Sequence, residues 1–181
     1  NIAEIDLSKN TELIELNCKS NDLTSLDVSA NVKLTTLNCC YNDLTALDVT
    51  KNTKLKNLYC YKNKITQLDV SYNPDLRNID CSNNELTALD VSNNPLLDDL
   101  HCGYNHLTTL DLSNNTELTV LHYSENNLTS LDLSNNDKIR FLYVDRNDYP
   151  ITVVDNKFDL STLPAGFDVS KASGWKNGTV E

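Results

Sequence analysis

His101 and His122 lie 21 residues apart, Asp80 lies 21 before His101, and Asp99 lies two before it. Imidazoles and carboxylates are the side chains that hold divalent metals and, through them, activate water. A recurrence of 21 places these residues on successive turns of one structure, with the two rings about 5 Å apart if the turns pair as strands. An open strand surface, however, neither converges three ligands on one point nor excludes water. The histidines therefore read as a surface pair, and no metal, cofactor or catalytic residue is expected. No serine has the G-x-S-x-G context of an esterase nucleophile, and no glycine-rich phosphate loop occurs.

Five of the six cysteines, Cys18, Cys39, Cys60, Cys81 and Cys102, recur at the same interval. Adjacent parallel strands stand about 4.8 Å apart with parallel side chains, whereas a disulfide wants its Cβ atoms about 3.8 Å apart and turned toward each other. Free, buried thiols acting as small hydrophobes are expected. A straight file of sulfurs also does not close the tetrahedron that zinc requires. Tyr123 and Val144 take the position in later units. Cys40, one residue off the file, is expected to face solvent and to be the one reactive thiol.

A carboxylate row, Asp27, Asp48, Asp69, Asp90, Asp111 and Asp132, runs two residues ahead of a Ser or Thr row from Ser29 to Ser134. Calcium is one way to hold stacked carboxylates. The other is local: each Asp accepts hydrogen bonds from nearby backbone N–H or hydroxyl groups, as in an Asx turn. No glycine-rich calcium nonapeptide is present.

All these rows belong to one frame, L-x-x-L-x-C-x-x-N-x-L, seen in Leu34 to Leu44 and followed by a second half of the form L-D-V-S-x-N. The alternation at Leu37 and Cys39, Leu58 and Cys60, Ile79 and Cys81, and Leu100 and Cys102 suits a short strand with these residues facing in. One Asn row follows the strand from Asn21 to Asn147, and another closes the second half from Asn31 to Asn136. A side-chain amide inside a turn serves backbone groups that burial would otherwise leave unpaired, and with only four Gly in the chain Asn is the natural turn residue. A fixed short period means that no unit buries its own apolar face, so neighbours must stack.

The expected fold is a leucine-rich-repeat solenoid over residues 1–147, with a parallel sheet on one face, turns or short extended pieces on the other, and little or no α-helix. Ile5 and Leu7 already fit the frame with no capping segment ahead, so upstream sequence or a partner is expected to cover that end. After Asn147 the period fails. Phe158, Leu160, Leu163, Phe167, Val169 and Trp175 suit a C-terminal capping segment over 148–181. The net charge of -11 repels phosphates and anionic lipid heads, so neither nucleic acid nor a membrane surface is an expected partner. No apolar run approaches the roughly 20 residues that span a bilayer.

The repeat frame with Cys in its sixth position, the 21-residue period and L-D-V-S-x-N in the back half resemble the internalin J group of bacterial leucine-rich-repeat surface proteins with a cysteine ladder. The resemblance implies a right-handed curved solenoid with the sheet on its concave face. It further implies export to the bacterial surface or medium, and a role in adhesion or host contact.

The strand position between Leu and Cys reads Asn17, Asn38, Tyr59, Asp80, His101, His122 and Tyr143. Neighbouring outward positions add Tyr41, Tyr61, Tyr104 and Phe141. Five of the eight tyrosines thus fall on a face where the fold does not require them. Exposed aromatics rimmed by polar groups mark a recognition surface. The alternative is that aromatics simply favour exposed strands and stack along the sheet. The sequence therefore points to a non-enzymatic binding module that takes a protein or glycan ligand through Tyr41, Tyr59, Tyr61, His101, Tyr104, His122, Phe141 and Tyr143. A structural spacer without a ligand on that face is the competing expectation.

Overall fold

The computed structural model describes residues 1–144. Asn147 and the expected capping segment 148–181 lie outside the described residues. Seven three-residue strands, β1 (Glu15–Asn17), β2 (Thr36–Asn38), β3 (Asn57–Tyr59), β4 (Asn78–Asp80), β5 (Asp99–His101), β6 (Val120–His122) and β7 (Phe141–Tyr143), form one parallel sheet in chain order. The register repeats the sequence period without slippage: Leu16 faces Leu37, Leu37 faces Leu58, and so on to Leu142. In every strand the middle residue is buried and its two neighbours are not, as alternation requires.

The ladder continues one residue past each strand. Cys39 N donates to Tyr59 O at 2.9 Å, and its Sγ stands 3.6 Å from the same oxygen. Cysteine fills this buried slot as a small hydrophobe while its S–H meets a carbonyl of the next turn. All six thiols are free. Tyr123 occupies the same slot and is buried, and Val144 packs against the core. The opposite wall is built from the back halves, where Val28, Val49, Val70, Val91 and Leu112 form a second buried file. Each fully buried leucine between these files contributes about 1.5–3 kcal/mol, and it is buried only because the neighbouring turns are there.

Between strand and back half, the residues at Ser20, Tyr41, Lys62, Asn83, Tyr104 and Glu125 all adopt φ between 54 and 59°. This left-handed step reverses the chain and drives the following Asn inward. Asn84 shows the result: its Nδ2 donates to Cys60 O at 3.1 Å and Cys81 O at 3.0 Å, while its Oδ1 accepts from Ile65 N at 3.0 Å. One amide therefore fastens two successive turns. The second Asn row is fully buried, and Asn73 Nδ2 donates to Val49 O at 3.1 Å and Asn52 O at 2.8 Å. Its Oδ1 atoms, from Asn31 to Asn136, have no hydrogen-bond partner.

The Asp row takes the local solution. Asp48 Oδ1 accepts from Thr50 N at 2.9 Å and Thr50 Oγ1 at 2.7 Å, and the corresponding N–H bond recurs at Asp27, Asp69, Asp90, Asp111 and Asp132. These bonds hold the carboxyls below the usual Asp range. No α-helix occurs among the described residues, and none is therefore long and apolar enough to cross a membrane.

Candidate functional site

Because the strands stand in register, their first and third residues project from the concave face in two straight rows. Across β2, β3 and β4 the first row is a polar strip, in which Asn78 Nδ2 donates to Asn57 Oδ1 at 2.7 Å and Asn57 Nδ2 donates to Thr36 Oγ1 at 3.1 Å. The expected aromatic residues divide into two groups, one at each end of the face.

The late group centres on His122. Its ring centroid lies 5.4 Å from His101, 5.5 Å from Tyr143 and 6.3 Å from Tyr104, all at steep interplanar angles. Edge-to-face contacts of this kind suit the aromatic quadrupole. His101, Val120, His122, Phe141 and Tyr143 line an open depression of about 380 Å³. Gly103 makes the seat for His122: a Cβ there would stand 3.1 Å from His122 Nε2 and 3.1 Å from Ser124 O. At the rim, His101 Nε2 lies 2.9 Å from Asp99 Oδ1. That contact raises the His101 pKa above its ordinary value near 6.5, against the opposing effect of burial.

The early group is Tyr41, Tyr59 and Tyr61. Tyr41 and Tyr61 meet edge to face at 4.9 Å. Lys62 Nζ stands 4.7 Å from the Tyr41 centroid, and Lys19 Nζ stands 5.3 Å from Tyr41 and 5.8 Å from Tyr61. The Tyr61 contact and the positive charge of Lys62 lower the Tyr41 pKa. Burial, then Asp99 and Asp80, raises that of Tyr59.

Cys40 corrects an expectation. Its side chain stays out of the core formed by the cysteine file, as its position one residue off the file requires, but it is fully buried rather than solvent-facing. Tyr59 and Tyr61 on the next turn stand beside it, and a short thiol does not clear them. Burial pushes its pKa up to about 12.

Sequence reasoning found the aromatic rings but missed Lys19, Lys62, Val120 and Gly103. The lysines sit in rows that hold unrelated residues in other turns, so nothing periodic marks them. Gly103 carried a signal: it interrupts a row otherwise made of Lys19, Cys40, Tyr61, Ser82 and Ser124. Among the described residues no group of three or more His, Cys, Asp or Glu side chains is placed to hold a metal ion.

No family model matches the chain, and no curated protein matches it. Solved structures do. The functional domain of InlJ from Listeria monocytogenes, which includes a cysteine ladder, is 40% identical with a TM-score of 0.70, over 90% of this chain and 40% of that one. The internalin InlF from Listeria monocytogenes is 19% identical with a TM-score of 0.82, over 94% of this chain and 50% of that one, a likeness of fold alone. A leucine-rich-repeat protein of Leptospira interrogans is 26% identical with a TM-score of 0.72, over 77% and 38% of the two chains. The chain therefore spans about half or less of the length of these structures.

Proposed function

This chain is a leucine-rich-repeat solenoid with a cysteine ladder, similar to the functional domain of InlJ, and from that premise we propose that it is a non-enzymatic binding module of an exported bacterial protein. The concave sheet recognises a protein ligand, in adhesion or host contact, and His101, Tyr104, His122, Phe141 and Tyr143 are the principal contact residues. The observation that carries this reading is the His122 group. His101, His122, Phe141 and Tyr143 line an open depression there and Tyr104 packs against His122, although the fold needs none of these rings for its core. Large rings with polar tips contribute strongly to recognition while losing little side-chain entropy.

A glycan is the second reading, favoured by the stacking surfaces that exposed tyrosines offer. The lining works against it at the depression itself, because Val120 and Phe141 bring no polar atom and only the tips of His101, His122 and Tyr143 can meet sugar hydroxyls, and each buried hydroxyl left unpaired costs about 1–3 kcal/mol. The test is a binding screen of this chain against extracellular host proteins and a glycan array. Saturable binding of a protein is the expected result. Binding of sugars alone gives the glycan reading, and absence of any saturable binding leaves the structural spacer.

A further inference from the structure

The two ends of the concave face differ in charge as well as in residue type. At the early end Lys19 and Lys62 converge on the Tyr41–Tyr61 pair. Elsewhere Lys33, Lys64 and Lys138 each pair with a carboxylate one turn back, Glu12, Asp43 and Glu117. Lys19 and Lys62, like Lys9, Lys51, Lys54 and Lys56, form no ion pair among the described residues; what sets these two apart is that both ammonium groups stand over the Tyr41 ring, in a chain whose net charge is -11. In so acidic a protein, two ammonium groups held over tyrosine rings form a local site for an anion. Asp80 and Asp99 follow on β4 and β5, and beyond them lies the apolar depression beside His122.

A sulfated or uronate polysaccharide repeats its negative charge along its length, so a chain seated on the lysines would run onto Asp80 and Asp99. A protein segment does not have this difficulty, since it can carry a carboxylate at one point and an apolar side chain at another. From β2 and β3 to β6 and β7 is four rungs, about 19 Å at 4.8 Å each, which an extended segment covers in about six residues. Resting on the concave-face reading above, we infer that the partner is a protein segment that sets a carboxylate on Lys19, Lys62, Tyr41 and Tyr61. The same segment places an apolar side chain, about six residues away, in the depression lined by His101, Val120, His122, Phe141 and Tyr143.

Amide-shift mapping on the isotopically labelled chain tests this, with short synthetic peptides as probes. The peptides carry Glu-Glu and Leu separated by a polar spacer, in both orders. Control peptides replace Glu-Glu by Lys-Lys or Leu by Ser. The Glu-Leu peptide is expected to shift signals near Lys19, Tyr41 and Lys62 together with those near His122 and Tyr143. The Lys19→Gln, Lys62→Gln double variant should weaken it about fivefold or more while leaving the late-end signals of the free protein unchanged. Equal or tighter binding of the Lys-Lys peptide overturns the inference, as does no shift with any peptide at about 10 mM, a ceiling set by the weakness of single-motif contacts. Shifts confined to the late end overturn it too, but leave the concave face as the binding surface. Shifts confined to the surroundings of Tyr72, on the back of the solenoid, remove both. A sulfated hexasaccharide that shifts both ends assigns the face to a glycan instead.

Discussion

The charge of His101 is set chiefly by one neighbour, Asp99. Its contact with Asp99 favours the imidazolium, so the folded-state pKa lies above the unfolded value near 6.5. The linked stabilisation is therefore fully present below about pH 6.5 and is lost as pH rises through the folded pKa. Both side chains are partly exposed, and solvent screening keeps this contribution small. Asp99→Asn should move the His101 titration midpoint, read from its ring proton signals, down toward 6.5. An unmoved midpoint would show that Asp99 does not set it. The cysteines give a second prediction. Burial raises the pKa of the ladder thiols, and Cys40 is covered as well, so native protein at pH 8 should show no rapidly reacting thiol and six after denaturation without reductant. A single fast thiol would mean that the tyrosines do not cover Cys40. Position off the ladder was legible for Cys40 from the sequence. Its burial was not, because it comes from the size of residues 19 and 21 positions away, which periodicity does not encode.

At the scale of the repeat unit, an amide placed inside the turn does what an apolar side chain cannot. Replacing Asn84 by Leu leaves Ile65 N without its acceptor, while Cys60 O and Cys81 O each lose one of two amide donors and keep Asn63 Nδ2 and Asn105 Nδ2, so the cost is about 1–3 kcal/mol for the one group left unpaired. The denaturation midpoint should fall accordingly, and an unchanged midpoint would show that these bonds contribute nothing net. Gly103 offers a complementary change. Its added Cβ would meet both a ring and a backbone carbonyl, so Gly103→Ala should destabilise by about 1–3 kcal/mol and displace the His122 ring signals. A fully tolerated alanine, with His122 unmoved, would mean that the glycine seats nothing. The strands, both Asn rows and the Asp turns follow directly from spacing and residue type. The left-handed step before each first-row Asn does not, since Ser20, Tyr41, Lys62, Tyr104 and Glu125 give no hint of positive φ.

Across the whole molecule, exact 21-residue stacking turns a repeated sequence into an addressable surface: each rung contributes its own outward pair to one face. The hydrophobic and polar rows that hold the turns together are nearly invariant from unit to unit, so the fold was readable in any two of them. The candidate site was readable only where residues depart from the repeat toward large rings. Tyr59, His101, His122 and Tyr143 stood out in this way, whereas Lys19 and Lys62 acquire meaning only once Tyr41 and Tyr61 are placed beneath them. The central claim is that the aromatic concave face, not the back of the solenoid, contacts the ligand. It is tested most directly by measuring the affinity of a ligand captured in the binding screen for three proteins: the unchanged chain, the Tyr104→Ala, Tyr143→Ala double variant, and Tyr72→Ala. Tyr72 is as exposed as any of these rings but lies in the back half of its unit. The double variant should bind about tenfold more weakly or worse with its thermal midpoint little changed, and Tyr72→Ala should bind as the unchanged chain does. Affinity that survives the double change and falls with Tyr72→Ala would place the binding surface on the other side of the molecule.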